Sequence, residues 1–149
     1  RALGELGEAS ESVVKALQKR LEDEDSEVRT TATRALVRQG QASDSLVEAL
    51  QQPLEDEDRK VRFYANTILM LLVKQGLTSD SLVEALQKRL EDKNLPVQLQ
   101  ASFTLAELIQ TSSSILPKLI EWLEHHRNSQ YLGNGIDTLW MAVVGDTDS

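Results

Sequence analysis

The densest chemical signal in the chain is acidic. Glu22-Asp23-Glu24-Asp25 and Glu55-Asp56-Glu57-Asp58 each set four carboxylates in a row. Carboxylates so crowded could hold a divalent cation or dock a basic partner. A calcium loop of the EF-hand kind needs spaced ligands, a glycine at its sixth position and a closing glutamate, and neither run has them. The plainer reading is a solvated turn whose last Asp caps the next helix. His125 and His126 are the two histidines of the chain. Neighbours on a helix face different ways, so the two make a poor metal pair, with Glu121 and Glu124 as the nearest carboxylates. Near a helix C-terminus their partial positive charge is simply favourable. There is no Gly-x-Ser-x-Gly for a serine nucleophile, and no Gly-x-x-x-x-Gly-Lys-Ser/Thr to cradle a phosphate. Paired carboxylates fall only in exposed turns, which do not tune them for acid–base work. The chain therefore reads as a non-enzyme with no catalytic residue, cofactor site or metal site.

Composition narrows the classes further. The 149 residues hold 16 basic and 24 acidic side chains, a formal charge of −8, with 40% apolar residues and no cysteine. Zero cysteine removes a disulfide scaffold, a thiolate metal site and a cysteine nucleophile. The acidic balance argues against nucleic acid as partner, which asks for a basic footprint. No apolar run is long enough to span a bilayer and no leader pattern opens the chain, so no membrane partner is expected and the expected location is cytoplasmic. The apolar share is enough for a core.

The elements that must position these residues are repeated ones. Val14-Lys-Ala-Leu17 recurs as Val47-Glu-Ala-Leu50, 33 residues on, and as Val83-Glu-Ala-Leu86, a further 36. Leu21-Glu-Asp-Glu-Asp25 recurs as Leu54-Glu-Asp-Glu-Asp58 and, degraded, as Leu90-Glu-Asp-Lys-Asn94. Val28-Arg29, Val61-Arg62 and Val97-Gln98 keep step, as do Ala32, Ala65 and Ala101. The three extra residues fall near Leu71–Val73 and predict a second helix there that is longer than its neighbours. Each unit reads as two helices. Val13, Val14, Leu17 and Leu21 form the apolar stripe of a first helix. Ser45-x-x-Glu48 and Ser81-x-x-Glu84 read as capping boxes, and Asp25, Asp58 and Asn94 as N-caps of second helices. Small Ala residues let the helices approach. Gly40 and Gly76 stop the second helices, and Pro53 should kink or end a first helix. Ile115, Leu116, Leu119 and Leu123 open a fourth, weaker unit with Pro117 in its first turn. Tyr131, Gly135 and Leu139 would stripe its second helix, which Gly133 and Gly135 weaken by about 1 kcal/mol each.

The run Leu-x-Asp-x-Asp-x-x-Val-Arg-x-x-Ala-x-x-Ala-Leu over Leu21–Leu36 resembles a HEAT repeat, and more narrowly the short bacterial type found in phycobilisome lyases. The wording Ser-Asp-Ser-Leu-Val-Glu-Ala-Leu, identical at Ser43–Leu50 and Ser79–Leu86, is similar to arrays that follow NACHT-type NTPase domains in bacterial, especially cyanobacterial, proteins. The resemblance implies an all-α, right-handed solenoid of about four helix pairs in one domain. Its parts would be 1–9, the end of a truncated repeat; 10–40, 41–76 and 77–111, three repeats; and 112–149, a degenerate capping repeat. It also implies that Arg29 and Arg62 pair with the turn carboxylates Asp23 and Asp56 of adjacent repeats, with Gln98 breaking the ladder. A protein-binding scaffold within a larger intracellular protein is the implied role; a bilin lyase subunit or chromophore-binding protein is the alternative.

In such a superhelix the second helices line the concave side. Aligned by the period, Thr30 becomes Phe63 and then Leu99, Thr31 becomes Tyr64, and Arg34 becomes Thr67 and then Phe103. Val37 becomes Met70, Ala106 and Trp140, and Arg38 becomes Leu71. Polar positions thus turn apolar along the chain. Phe63, Tyr64, Thr67, Met70, Leu71, Leu99 and Phe103 are the candidate partner-binding residues, since exposed apolar patches usually mark interaction sites. The competing expectations are that the longer helix buries Met70 and Leu71 in the core, or that the patch makes a weak contact between copies of the chain.

Overall fold

The computed structural model describes residues 12–13, 15–36 and 43–144. Among these, every regular element is helical: α1 (residues 12–13 and 15–20), α2 (Ser26–Leu36), α3 (Asp44–Ala49), α4 (Gln51–Leu54), α5 (Arg59–Lys74), α6 (Asp80–Arg89), α7 (Leu95–Thr111), a 3-10 turn (Ser113–Ile115), α8 (Leu116–His125) and α9 (Leu132–Val144). The truncated repeat expected over 1–9, the last residues of the expected capping repeat (145–149), and the expected roles of Val14, Val37, Arg38 and Gly40 fall outside the described residues. The chain divides into two compact units, Arg1–Ile68 and Leu69–Ser149, with the boundary inside α5.

The first unit buries Leu21, Ala32, Leu36, Leu46, Val47, Leu50, Leu54, Val61 and Ala65. Val13 lies outside this core, exposed, and Leu17 is half-buried, so among its described residues the stripe expected on the first helix is dry only at Leu21. α3 and α4 together are the first helix of their repeat, interrupted at Leu50. Pro53 is the cause: it has no N–H for the carbonyl of Ala49, four residues back. α6 supplies the control. Its first eight residues copy this sequence, Arg89 replaces Pro53, and the helix runs unbroken.

Both helices begin two residues before the expected capping boxes. The N-caps are Ser43 and Ser79, in extended backbone, and their hydroxyls accept the amides of Leu46 and Leu82 at 3.4 Å. Ser45 and Ser81 therefore sit inside the first turn, and because the third residue past each cap is a leucine, no glutamate reciprocates the cap. α5 ends as predicted at Gly76, whose φ of 98° is left-handed. Leu77 N–H returns to the Leu72 carbonyl at 3.1 Å and Gly76 N–H to Val73 at 3.0 Å, satisfying carbonyls the helix leaves open. α5 has 16 residues and α7 has 17, so the three-residue insertion does not make α5 the longer; α7 has no early glycine to stop it.

In the second unit, α6/α7 and α8/α9 are two helix pairs. Gln87 of α6 donates to the Lys118 carbonyl of α8 (3.2 Å), and Lys118 pairs with Asp80 at 2.7 Å. α7 lies along α9 in the same direction: Gln98 meets Asn134, the Ser102 hydroxyl meets Thr138 at 2.7 Å, and Gln110 donates to Met141 and Ala142 carbonyls. The position of Ala32, Ala65 and Ala101 recurs as Gly135, and all four are buried. A Cβ on Gly135 would lie 2.5 Å from Trp122 Cζ3 and 2.7 Å from a methyl of Leu123, so α9 approaches α8 through this glycine.

Candidate interaction face

The acidic runs fold into tandem turns. Asp23 accepts the amide of Asp25 (2.9 Å), Asp56 that of Asp58 (2.8 Å) and Asp92 that of Asn94 (2.8 Å). The second carboxylate then caps the helix: Asp25 accepts Glu27 N–H at 2.9 Å and Asp58 accepts Lys60 N–H at 2.8 Å. That amide hydrogen bond, with help from the Ser26 hydroxyl and the charges of Lys60 and Arg29, holds the Asp58 carboxyl below its ordinary value despite burial. Asn94 makes no such side-chain bond; the residue two beyond it is Pro96, which has no N–H. Alternate carboxylates are thus engaged with backbone amides, and among the described residues no cluster of three or more potential ligands could hold a metal ion.

The arginine after each turn grips it. Arg29 donates through Nη1 to the carbonyls of Asp23 (2.8 Å) and Glu24 (3.1 Å). It also forks onto Asp56 of the next repeat, with Nε at 2.8 Å and Nη2 at 3.2 Å. Both side chains are buried, and the Asp56 carboxylate raises Arg29 above the ordinary arginine value. Arg62 repeats the grip on the carbonyls of Asp56 (2.9 Å) and Glu57 (3.1 Å). Gln98 replaces the ion pair with neutral bonds. Its amide donates to the Asp92 carbonyl, and its oxygen accepts from Asn134 (3.1 Å), which also donates to the Leu90 carbonyl (2.8 Å).

Of the candidate partner-binding residues, three belong to the first unit. Phe63 is exposed, Thr67 bonds the Phe63 carbonyl at 2.9 Å, and Tyr64 is half-buried with the Arg34 guanidinium 4.6 Å above its ring. In the second unit Leu71, Leu99 and Phe103 are exposed, Met70 is half-buried, and the inserted Leu72 and Val73 take the core positions instead. The second unit adds residues that the candidate set did not include: Leu95 on α7, with Ile136, Val143 and Trp140, the last already aligned by the period, on α9. The period aligns Leu95 with Arg59 and Ser26, the same polar-to-apolar drift, whereas Trp140 aligns with Met70 and Ala106, a position that is apolar throughout. Leu99, Phe103 and Trp140 are 56, 62 and 67% exposed. A cleft of about 400 Å3 opens between α7 and α9, with Phe103 and Trp140 on its walls and Ala106, Glu107, Gln110 and Met141 lining it.

His125 and His126 diverge. His125 is exposed. His126 stacks on Trp122, centroids 3.9 Å apart, and its Nε2 lies 3.2 Å from Glu91. A smaller cleft beside them includes Glu84, Lys118 and Glu121. No helix among the described residues is long and apolar enough to cross a membrane.

Paired helices, a recurring small residue at their contact and an arginine-gripped acidic turn define a helical-repeat protein. Residues 1–66 match the family model described as HEAT repeats. No curated protein matches it. HEAT repeats generally mediate protein–protein interactions.

Proposed function

We propose that the whole chain is a HEAT-type solenoid, right-handed and of about four helix pairs, and that it binds a protein partner on the face of its second helices. The observation that carries this reading is the pair of exposed apolar ridges in the second unit, Leu95, Leu99 and Phe103 on α7 beside Trp140 on α9. Aromatic side chains standing in water are unfavourable for a free surface and are the anchors that interfaces use. Phe63 extends the same character to the first unit. Binding rather than catalysis is the role, because the carboxylates with the densest spacing are consumed by turns and caps. A cytoplasmic setting, within a larger intracellular protein, belongs to this proposal.

The test is a comparative capture from the source cytosol, using the chain and a Leu99→Asp/Phe103→Asp variant, with circular dichroism showing that both stay helical. A partner held by the first and lost by the second supports the reading. Equal capture, or none by either, removes the second-helix face as the binding surface.

A further inference from the structure

The cleft between α7 and α9 has an unusual charge pattern. The 17 residues of α7 contain one ionisable side chain, Glu107, and the 13 of α9 contain one, Asp137. Glu107 lines the cleft and Asp137 is exposed one turn before Trp140. Neither helix carries Lys, Arg or His. Apart from Glu107 and the neutral amide of Gln110 the lining is apolar, and because the helices run in the same direction, the α7 ridge with its four-residue spacing lies alongside Trp140.

We propose that this cleft receives an amphipathic helical segment of a partner protein, whose apolar side chains fill it and whose Lys or Arg residues meet Glu107 and Asp137. The inference rests on reading the second-helix face as an interaction surface, and adds the chemistry of what binds there. Two parallel ridges with anchors four residues apart suit a helix presenting side chains at i, i+3 or i+4, and i+7. Covering the cleft strips water from Glu107, so an uncharged or acidic occupant leaves it desolvated without return, whereas a basic one compensates it in a lowered dielectric, and exposed Asp137 one turn before Trp140 adds to the attraction. A second copy of the chain fits poorly. A two-fold contact through this cleft would set Glu107 and Asp137 against their own copies, with no cation on either helix, between molecules of charge −8.

The test is selection of a displayed library of random peptides on the full chain, followed by titration of the synthesised survivors. Trp140 is the reporter, because the other tryptophan, Trp122, is only 7% exposed. Survivors are expected to combine apolar residues at helical spacing with Lys or Arg and to shift Trp140 emission to the blue. They should bind Phe103→Ser about tenfold more weakly or worse. Their preference for Lys over Glu at the flanks should vanish on Glu107→Gln/Asp137→Asn. Both sets of substitutions fall at exposed or cleft positions, and circular dichroism checks the fold of each. Survivors that need Phe103 yet show no preference for basic flanks would overturn the chemistry proposed for the partner while leaving the interaction face standing. No survivors, or survivors indifferent to Phe103 and silent at Trp140, would overturn both. A concentration-dependent dimer in sedimentation, abolished by Phe103→Ser, would assign the cleft to a second copy and overturn the proposal.

Discussion

At the scale of single residues, the repeats solve one problem in two ways. A turn carbonyl and the next helix pair must be tied together, and Arg29 does it with charge while Gln98 does it without. The charged version was implied by the resemblance to HEAT repeats, which paired Arg29 and Arg62 with the turn carboxylates Asp23 and Asp56, and the structure joins Arg29 to Asp56. The neutral version was not, because Asn134 lies 36 residues beyond Gln98 and no charge pattern flags an amide pair. The difference has an energetic consequence. Arg29 and Asp56 are both buried, so Arg29→Ala strands a carboxylate and should cost about 3 kcal/mol or more. Arg29→Gln/Asp56→Asn imitates the amide link, leaves no buried charge, and should recover most of that loss. Urea unfolding of the singles and the double, followed by circular dichroism, gives the coupling. A double variant as unstable as Arg29→Ala would mean that the ion pair itself, and not the avoidance of a stranded charge, holds the turn.

At the scale of elements, most helices were legible because the sequence repeats its own words, and the departures have local causes. Ser43 and Ser79 cap where Ser45 and Ser81 were expected, since the spacing of serine to glutamate is satisfied on paper but the helix starts earlier. Pro53 breaks one first helix whose near-copy, α6, is intact. Gly135 is the instructive case. Sequence shows only its helix penalty; it cannot show that Trp122 and Leu123 stand where a Cβ would go. Gly133, two residues earlier, has nothing within 4 Å of that position. The pair therefore separates propensity from packing within one helix. Gly133→Ala should stabilise by about 0.5–1 kcal/mol. Gly135→Ala gains the same propensity but must displace an indole, and should destabilise by about 1–3 kcal/mol on balance. Chemical denaturation of the two variants decides it; equal stabilisation by both would show that α8 yields easily and that the close approach at Gly135 is incidental.

At the scale of the whole molecule, the period explains both what the candidate face contains and what the sequence left out of it. Thr33, Asn66 and Ser102 occupy one buried position in three repeats, and the fourth presents an exposed Ile136 there. Alignment by period marks the drift from polar to apolar, but not which drifting positions stay in water; that depends on what packs beside them. Charge is distributed more evenly. The first unit has 10 basic and 14 acidic residues and the second 6 and 10, so each carries −4. Much of the excess lies in the exposed glutamates of the turns, whereas the pairs Arg29–Asp56 and Arg89–Asp92 are buried. Salt acts unequally on the two groups. Raising ionic strength from about 0.01 to about 0.15 M shortens the screening length from about 30 to about 8 Å, which weakens repulsion between exposed carboxylates more than attraction within buried pairs. Net charge of one sign destabilises a compact chain through self-repulsion. The urea midpoint should therefore rise over that range, and rise less in a variant with Glu22, Glu24, Glu55 and Glu57 changed to Gln, because those substitutions remove the repulsion that salt would screen. A midpoint that falls with salt in the unmodified chain would mean that surface ion pairs outweigh the repulsion, and that the acidic turns are held by attraction to cations elsewhere on the fold.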